Sequence, residues 1–300
     1  MTELTLPAPA KLNLFLHITS GPICQGHKPG YHHLETLFQL ISLSDVLRFR
    51  RSRSRAIGLH CPGLNTPAAD NLVTRAAHAL QAHTHCTYGA DITVNNCLPA
   101  GGGLGGGSSD AATTLLALNV LWDLRLNLDT LADIGRTLGA DVPVFIRGHT
   151  AHATGIGDKL TPCQQPPLWF VLVKPRASIA TADVFRHPAL PRQTPPFFSD
   201  VPPFCAPTST FWRDTRNDCE AVARQLCPEI GAILDHLTPH ATARLTGTGS
   251  TCFAVFETQS AAQNAMTIWR AQPELDSCWI QLAHGINRSP VHAALDINID

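Results

Sequence analysis

Six glycines fall within the seven residues 101–107, interrupted only by Leu104. A stretch so poor in side chains costs chain entropy and gains no packing, so something must need the bare backbone there. The full run is Pro99, Ala100, Gly101, Gly102, Gly103, Leu104, Gly105, Gly106, Gly107, Ser108, Ser109, Asp110. Successive N–H groups in such a loop can turn into one concavity. A helix that follows adds its own unbonded N–H groups and the positive end of its dipole. Ser108 and Ser109 would place hydroxyls at the helix mouth, for phosphate oxygens or a metal. The chemistry implied is polyphosphate binding.

Three other readings of the loop compete. A flexible linker would not run at once into an apolar helix with polar residues at its start. A Walker A loop needs Gly-Lys followed by Ser or Thr, and the chain has no Gly-Lys pair. Gly101, Gly103 and Gly106 formally match the dinucleotide pattern G-x-G-x-x-G. That pattern requires a second strand ending in an acid about 20 residues on, whereas a second helix is predicted next.

Three further segments carry candidate chemistry. Lys11 is one of four lysines (11, 28, 159 and 174) and opens an apolar strand with Asn13 on the same side. It is either a buried cation that needs an anionic partner or an exposed strand-end lysine, and the segment alone does not choose. Asp141 lies between a helix that stops at Gly139 and the apolar run Val142–Ile146, which reads as a strand because Val-Pro favours extended backbone. It would be a turn or cap residue, or else a base for a substrate hydroxyl. Thr246-Gly247-Thr248-Gly249 would either close over a nucleotide or make a tight polar turn.

The elements that must position these groups follow from periodicity and turn residues. Strands are predicted over 4–6, 11–18, 33–40, 45–50, 91–95, 169–174, 243–245, 252–256 and 277–282. Helices are predicted over 71–83, 108–122, 128–138, 217–227, 229–237 and 261–270, with Asp129 capping the third of these. The proline-rich run 188–207 reads as extended loop. The order suits an α+β protein with a division near 160, giving residues 1–160 with the glycine loop and residues 161–300 as a smaller α+β domain.

With 300 residues, 44% hydrophobic and only 15% charged, the chain is neither disordered nor a coiled coil. A net charge of −1 supplies no global field for nucleic acid or acidic membranes. No apolar run reaches the roughly 18 residues that span a bilayer. No basic residue precedes Lys11, so a signal peptide is not expected, and a cytoplasmic setting with free thiols for the ten cysteines is. The arginine-rich run 48–55 is expected to be a solvated edge rather than an RNA site. His78, His83, His85 and Cys86 have the wrong spacing for ligands stacked on one helix face and are expected at a helix end.

Taken together, the order Pro-Ala-Lys-Leu-Asn-Leu-Phe-Leu, Gly-Tyr-His, the doubled triple-glycine loop with Ser-Ser-Asp, Gly-Ala-Asp-Val-Pro and Thr-Gly-Thr-Gly resembles the 4-diphosphocytidyl-2-C-methyl-D-erythritol kinase family. That family lies within the galactokinase, homoserine, mevalonate and phosphomevalonate (GHMP) kinases, and the likeness runs to Gly285–His292. The resemblance implies a two-domain GHMP fold, with an N-terminal domain like domain 2 of ribosomal protein S5 and a ferredoxin-like C-terminal domain. It implies ATP with Mg²⁺, and transfer to the 2-hydroxyl of a cytidine diphosphate-linked methylerythritol in isoprenoid precursor synthesis. ATP phosphates would lie on 99–109. Lys11 and Asp141 would be catalytic, and Asn13 and Thr181 would meet the substrate. Tyr31 and Phe185 would sandwich the cytosine, whose edge the backbone of His32 would read. No metal ligand is assigned. A monomer or weak homodimer that binds neither nucleic acid nor membrane is expected. The segment Gly21–Pro29 is slightly longer than the family pattern.

Overall fold

The computed structural model describes residues 2–22, 31–63, 67–200, 204–205 and 207–297. In chain order the elements are β1 (Glu3–Pro22), β2 (His32–Ser52), β3 (Ile57–His60), α1 (Leu72–Thr84), β4 (Gly89–Asn95), α2 (Gly106–Leu121), α3 (Leu128–Leu138), α4 (Val142–Arg147), β5 (Ala151–Thr154) and β6 (Lys159–Pro162). They continue with β7 (Trp169–Lys174), α5 (Thr181–Arg186), α6 (Ser209–Asp214), α7 (Glu220–Leu226), α8 (Pro228–Leu237), β8 (Thr242–Leu245), β9 (Cys252–Phe256), α9 (Gln259–Arg270), β10 (Trp279–Ile286) and α10 (Pro290–Ala294). Among the described residues no helix is long and apolar enough to cross a membrane.

The N-terminal sheet is built around two long strands. β2 pairs antiparallel with β1, β4 and β5, while β3 lies parallel to β4 and β6 closes a hairpin with β5. The pairs of strands predicted over 4–6 with 11–18, and over 33–40 with 45–50, are in fact two continuous strands. Residues 8–18 of β1 are buried without alternation, because the strand is covered on both faces. On one side Leu6 and Ala8 join the core made by α1, α2, α3 and α4. On the other, Leu12, Leu14 and Phe15 pack with Phe170, Leu172 and Phe253 of the second half.

The second half arranges its strands as β8-β9-β7-β10, every neighbour antiparallel. With helices α7 and α8 after β7 and helix α9 after β9, this is the ferredoxin-like βαββαβ order. Ile230, Ile233 and Leu234 of α8 and Met266 and Trp269 of α9 form its own core against Val171 and Val173. The two sheets are continuous: Gly285 and Ile286 at the end of β10 pair with Ile41 and Leu40 of β2. Helix α10 then returns Val291 to the first core.

Four local expectations are corrected. Val142–Arg147 is a helix, not a strand: Pro143 stands in its first turn, where the missing N–H costs nothing and the fixed φ suits the helix. Helix α2 begins at Gly106, two residues before the serines, with Gly105 in the left-handed region as its N-cap and no side-chain cap bond. Helix α3 is capped by Asn127, whose side chain accepts from Thr130 N, rather than by Asp129. Asn217 precedes α7 instead of opening it.

Candidate active site

Register shifts in the β1–β2 pairing flank the segment Lys11–Asn13 on both sides, between Pro9 and Lys11 and between Asn13 and Leu16. Such irregularities re-aim side chains. Here they turn Lys11 and Asn13 toward the glycine loop, and Lys11 N donates to Leu104 O at 3.0 Å. Lys11 is only 3% exposed, which disposes of the exposed strand-end reading. Its Nζ lies 3.3 Å from Asp141 Oδ2, donates to Asn13 Oδ1 at 2.6 Å and stands 5.3 Å from the centre of the Phe38 ring. Asp141 holds the N-cap position of α4 but makes no cap hydrogen bond. Its carboxylate is one-third exposed, so one side meets the lysine and the other is open to a ligand. Asn13 is itself fixed: its Nδ2 donates to Thr36 Oγ1 and its N–H to Thr246 Oγ1, each at 2.9 Å.

The glycine loop is held from below by the turn that joins β8 to β9. Thr251 N donates to Gly102 O at 3.1 Å, and Asn217 Nδ2 donates to Leu245 O and Gly247 O, each at 2.8 Å. At Gly103, φ is +74° and a Cβ would lie 2.4 Å from Thr246 O. At Gly105, φ is +73° and a Cβ would lie 2.9 Å from the Phe145 ring and 3.1 Å from Lys11 Cε. The sequence needs glycine at these two positions for close packing of backbone on backbone and on the lysine stem. What remains open is the start of α2, where no side chain caps the first-turn N–H groups. Unbonded N–H groups at a helix start are an anion site.

Ser109 does not serve there. It is fully buried, its Oγ donates to Pro9 O at 2.7 Å and its N–H donates to Gly105 O at 2.8 Å. Both its polar groups are committed within the protein, and the hydroxyl expected at the helix mouth reduces to that of Ser108. Ser108 is half-buried, with Oγ 3.7 Å from where a Cβ on Gly139 would sit. That places it on the side of Asp141.

The residues expected to meet a nucleoside head come together on α5 and the start of β2. The rings of His32 and Phe185 stack, with centroids 5.3 Å apart and 22° between planes. The His32 ring thus lies flat against Phe185 where its backbone opens β2. Arg192 Nε lies 3.3 Å from His32 Nε2, and Arg192 Nη2 donates to Phe185 O at 3.2 Å. Thr181 Oγ1 is 3.1 Å from Thr248 Oγ1, tying α5 to the Thr-Gly-Thr-Gly turn. Tyr31 is half-buried and immediately precedes β2. Gly30, and the longer segment from residue 23 to 29, lie outside the described residues.

Residues that sequence reasoning passed over complete the site. Thr36, Phe38 and Asn217 had no motif to mark them, since each acts through a partner distant in the chain. Thr246 lay within a quoted motif but without a role. Asp110, next to Ser109, is buried with Oδ1 unpartnered. Burial and the neighbouring Asp45 push its carboxyl up to about 8. Asp45 accepts from Cys97 N and Leu98 N at the foot of the loop.

The distracting motifs resolve into surface structure. Arg48 pairs with Glu3, Arg50 with Asp91 at 2.9 Å, and Arg51 lies 4.9 Å from the Tyr88 ring centre. His83 is in the last turn of α1 and His85 is its left-handed C-cap. Among the described residues no group of three or more His, Cys, Asp or Glu could hold a metal ion.

The family described as GHMP kinases N terminal domain matches residues 71–149, and GHMP kinases C terminal matches residues 199–275. A 4-diphosphocytidyl-2-C-methyl-D-erythritol kinase of Marinobacter nauticus is 48% identical over 298 residues, covering 98% of each chain. One of Chromohalobacter salexigens is 46% identical over 299 residues, covering 99% of this chain and 96% of the other. Among solved structures, a 4-(cytidine 5'-diphospho)-2C-methyl-D-erythritol kinase superposes with TM-score 0.76 at 32% identity, covering 95% of this chain and all of that one. A homoserine kinase of Cytophaga hutchinsonii superposes at 0.65 with 15% identity over 96% of both chains, a likeness of fold alone. A buried lysine against a distant acid, beside a glycine loop that opens a helix, thus sits in a chain that belongs to the GHMP kinases and, within them, to the 4-diphosphocytidyl-2-C-methyl-D-erythritol kinase family.

Proposed function

We propose that this GHMP kinase transfers the γ-phosphoryl group of ATP to the 2-hydroxyl of 4-diphosphocytidyl-2-C-methyl-D-erythritol, a step of isoprenoid precursor synthesis. The observation that carries the mechanism is the 3.3 Å contact of Lys11 Nζ with Asp141 Oδ2 beside the open start of α2. The ATP tail would lie along 99–108, its phosphates on the N–H groups of the loop and helix. The substrate hydroxyl would meet the exposed side of Asp141.

Phosphoryl transfer asks for positioning and charge neutralisation more than for covalent help. Asp141 orients the hydroxyl oxygen toward the γ-phosphorus and accepts its proton. A carboxylate is a weak base for an alcohol, so the proton moves late, after the new P–O bond has largely formed. Lys11 stays close to the reacting oxygens and offsets charge on the transferred group. Asn13 holds Lys11 in place. Thr181, Phe185, His32 and Tyr31 would bind the cytidine-bearing end, with the His32–Phe185 stack as its platform.

Mg²⁺ fits the site only as a nucleotide-borne ion, because the described residues offer no carboxylate cluster. Ser108, in the first turn of α2, would be the hydroxyl to touch it. When bound, it would neutralise charge on the phosphate oxygens. Residues 1–160 would supply the nucleotide half and residues 161–300 the covering half. We take the working form to be a cytoplasmic monomer or weak homodimer without nucleic-acid or membrane partners.

A coupled ADP-release assay with three alcohols tests the substrate. The cytidine-bearing alcohol should give turnover, whereas mevalonate and homoserine should give none. Equal turnover with all three would overturn the assignment.

A further inference from the structure

Lys174, the last residue of β7, is 5% exposed and yet among the described residues has no acidic partner. Among the described residues its Nζ donates only to uncharged oxygens: Pro175 O at 3.0 Å, Ala177 O at 3.3 Å and Ser178 Oγ at 3.2 Å. Those bonds solvate the ammonium but do not neutralise it, and a buried charge without a counter-ion is costly.

Its position gives the charge a use. The stem lies under the glycine loop, with Cδ 3.5 Å from where a Cβ on Gly102 would sit. The turn it pins carries Ser178, whose side chain is 3.2 Å from the corresponding point on Gly101. Ala177 O accepts from Ser250 Oγ at 2.7 Å as well. Ser250 and Thr251 in turn donate their N–H groups to Gly101 O and Gly102 O, at 3.4 and 3.1 Å. One ammonium therefore organises the floor beneath both loops that meet at the nucleotide tail.

We propose that Lys174 is a positioning residue for ATP, a buried cation under Gly101–Gly102 whose counter-charge is the polyphosphate that the loop carries. It touches neither substrate nor reacting atoms. It acts through the loop and through its field at the loop. The inference rests on the reading of 99–108 as the ATP site and does not depend on which alcohol is phosphorylated.

Kinetics and nucleotide titrations on the full chain test it, using Lys174→Met, Lys174→Gln and Lys174→Arg. Glutamine keeps N–H donors but loses the charge, and arginine keeps both. We expect Met and Gln to raise KM for ATP and Kd for ADP about tenfold. Turnover at saturation and KM for the alcohol should stay within about threefold, and Arg should restore ADP binding to within about threefold of wild type. Adenosine, which has no phosphates, should bind all four proteins alike. ADP and adenosine weakening together would make Lys174 a structural peg only. ADP binding unchanged in the glutamine variant, or turnover falling with KM unchanged, would also overturn the proposal. Should the methionine variant fail to fold by circular dichroism, the Gln–Arg comparison decides. The ADP titration is read whether or not the wild type turns over the cytidine substrate, so failure of the substrate assignment is seen separately.

Discussion

Asp141 sits at the N-cap of α4 and caps nothing; its carboxylate reaches Lys11 on a strand from the other end of the domain. A residue kept only to start a helix would spend its oxygens on the first-turn N–H groups. Asp141→Asn preserves size and polarity but removes the proton acceptor. Its kcat should fall by about 10²–10⁴-fold, with ADP affinity within about threefold of wild type. Near-normal turnover would show that the acid only shapes the site.

Gly103→Ala should weaken ATP binding by more than about tenfold, since a left-handed φ is unfavourable for alanine and strain moves the loop. The added methyl also meets the carbonyl of Thr246 at 2.4 Å, a backbone atom that cannot swing aside. The thermal midpoint should drop in the same variant. A wild-type nucleotide titration would show that the loop tolerates side chains and that the phosphate cradle is misplaced.

Asp110 gives the folded protein a specific pH dependence. An ordinary aspartate releases its proton near 3.8, while burial and Asp45 hold this one to about 8 in the fold. The folded state binds the proton more tightly, so the contribution to stability is fully present below about pH 4. It declines as pH rises and is gone once pH passes about 8. The swing is on the order of a few kcal/mol. Asp110→Asn should abolish this decline: scanned from pH 5 to 8.5, its melting temperature should fall less than that of wild type. Parallel curves would mean that Asp110 is not buried as a neutral acid.

Arg244 on β8 locks the two halves together. Its Nη1 donates to Leu14 O at 2.9 Å and Thr215 Oγ1 at 2.8 Å, and its guanidinium lies 4.8 Å from the Trp212 ring centre. Lysine cannot reproduce that fork or the stacking. Arg244→Lys should lower stability by ~2–4 kcal/mol in denaturant titration, with a larger loss of activity than of secondary structure at moderate urea. A midpoint unchanged from wild type would remove Arg244 from the domain junction.

Much of the framework was legible in the residues. Helix α3 and strands β7 and β9 fall where periodicity and turn residues place them, because each is fixed within a window of about ten residues. The glycine loop was legible for the same reason: consecutive residues without side chains before an apolar helix are a local instruction. Folding corrected what depends on context. Val142–Arg147 has the apolar run of a strand, but Pro143 suits a first helical turn, and Asp141 is thereby set at the mouth of the site. The Ser109 hydroxyl is drawn inward to Pro9 O by the packing of α2 on β1. The meeting of Lys11 with Asp141, the grip of Thr246 on Asn13, the His32–Phe185 stack and the burial of Lys174 leave no trace in any short window. The first two exist because register shifts re-aim β1, and all of them because the second half of the chain packs over the first. Pattern along a chain encodes elements; only the joint packing of those elements decides which polar groups lose water together, and so which of them act on one another.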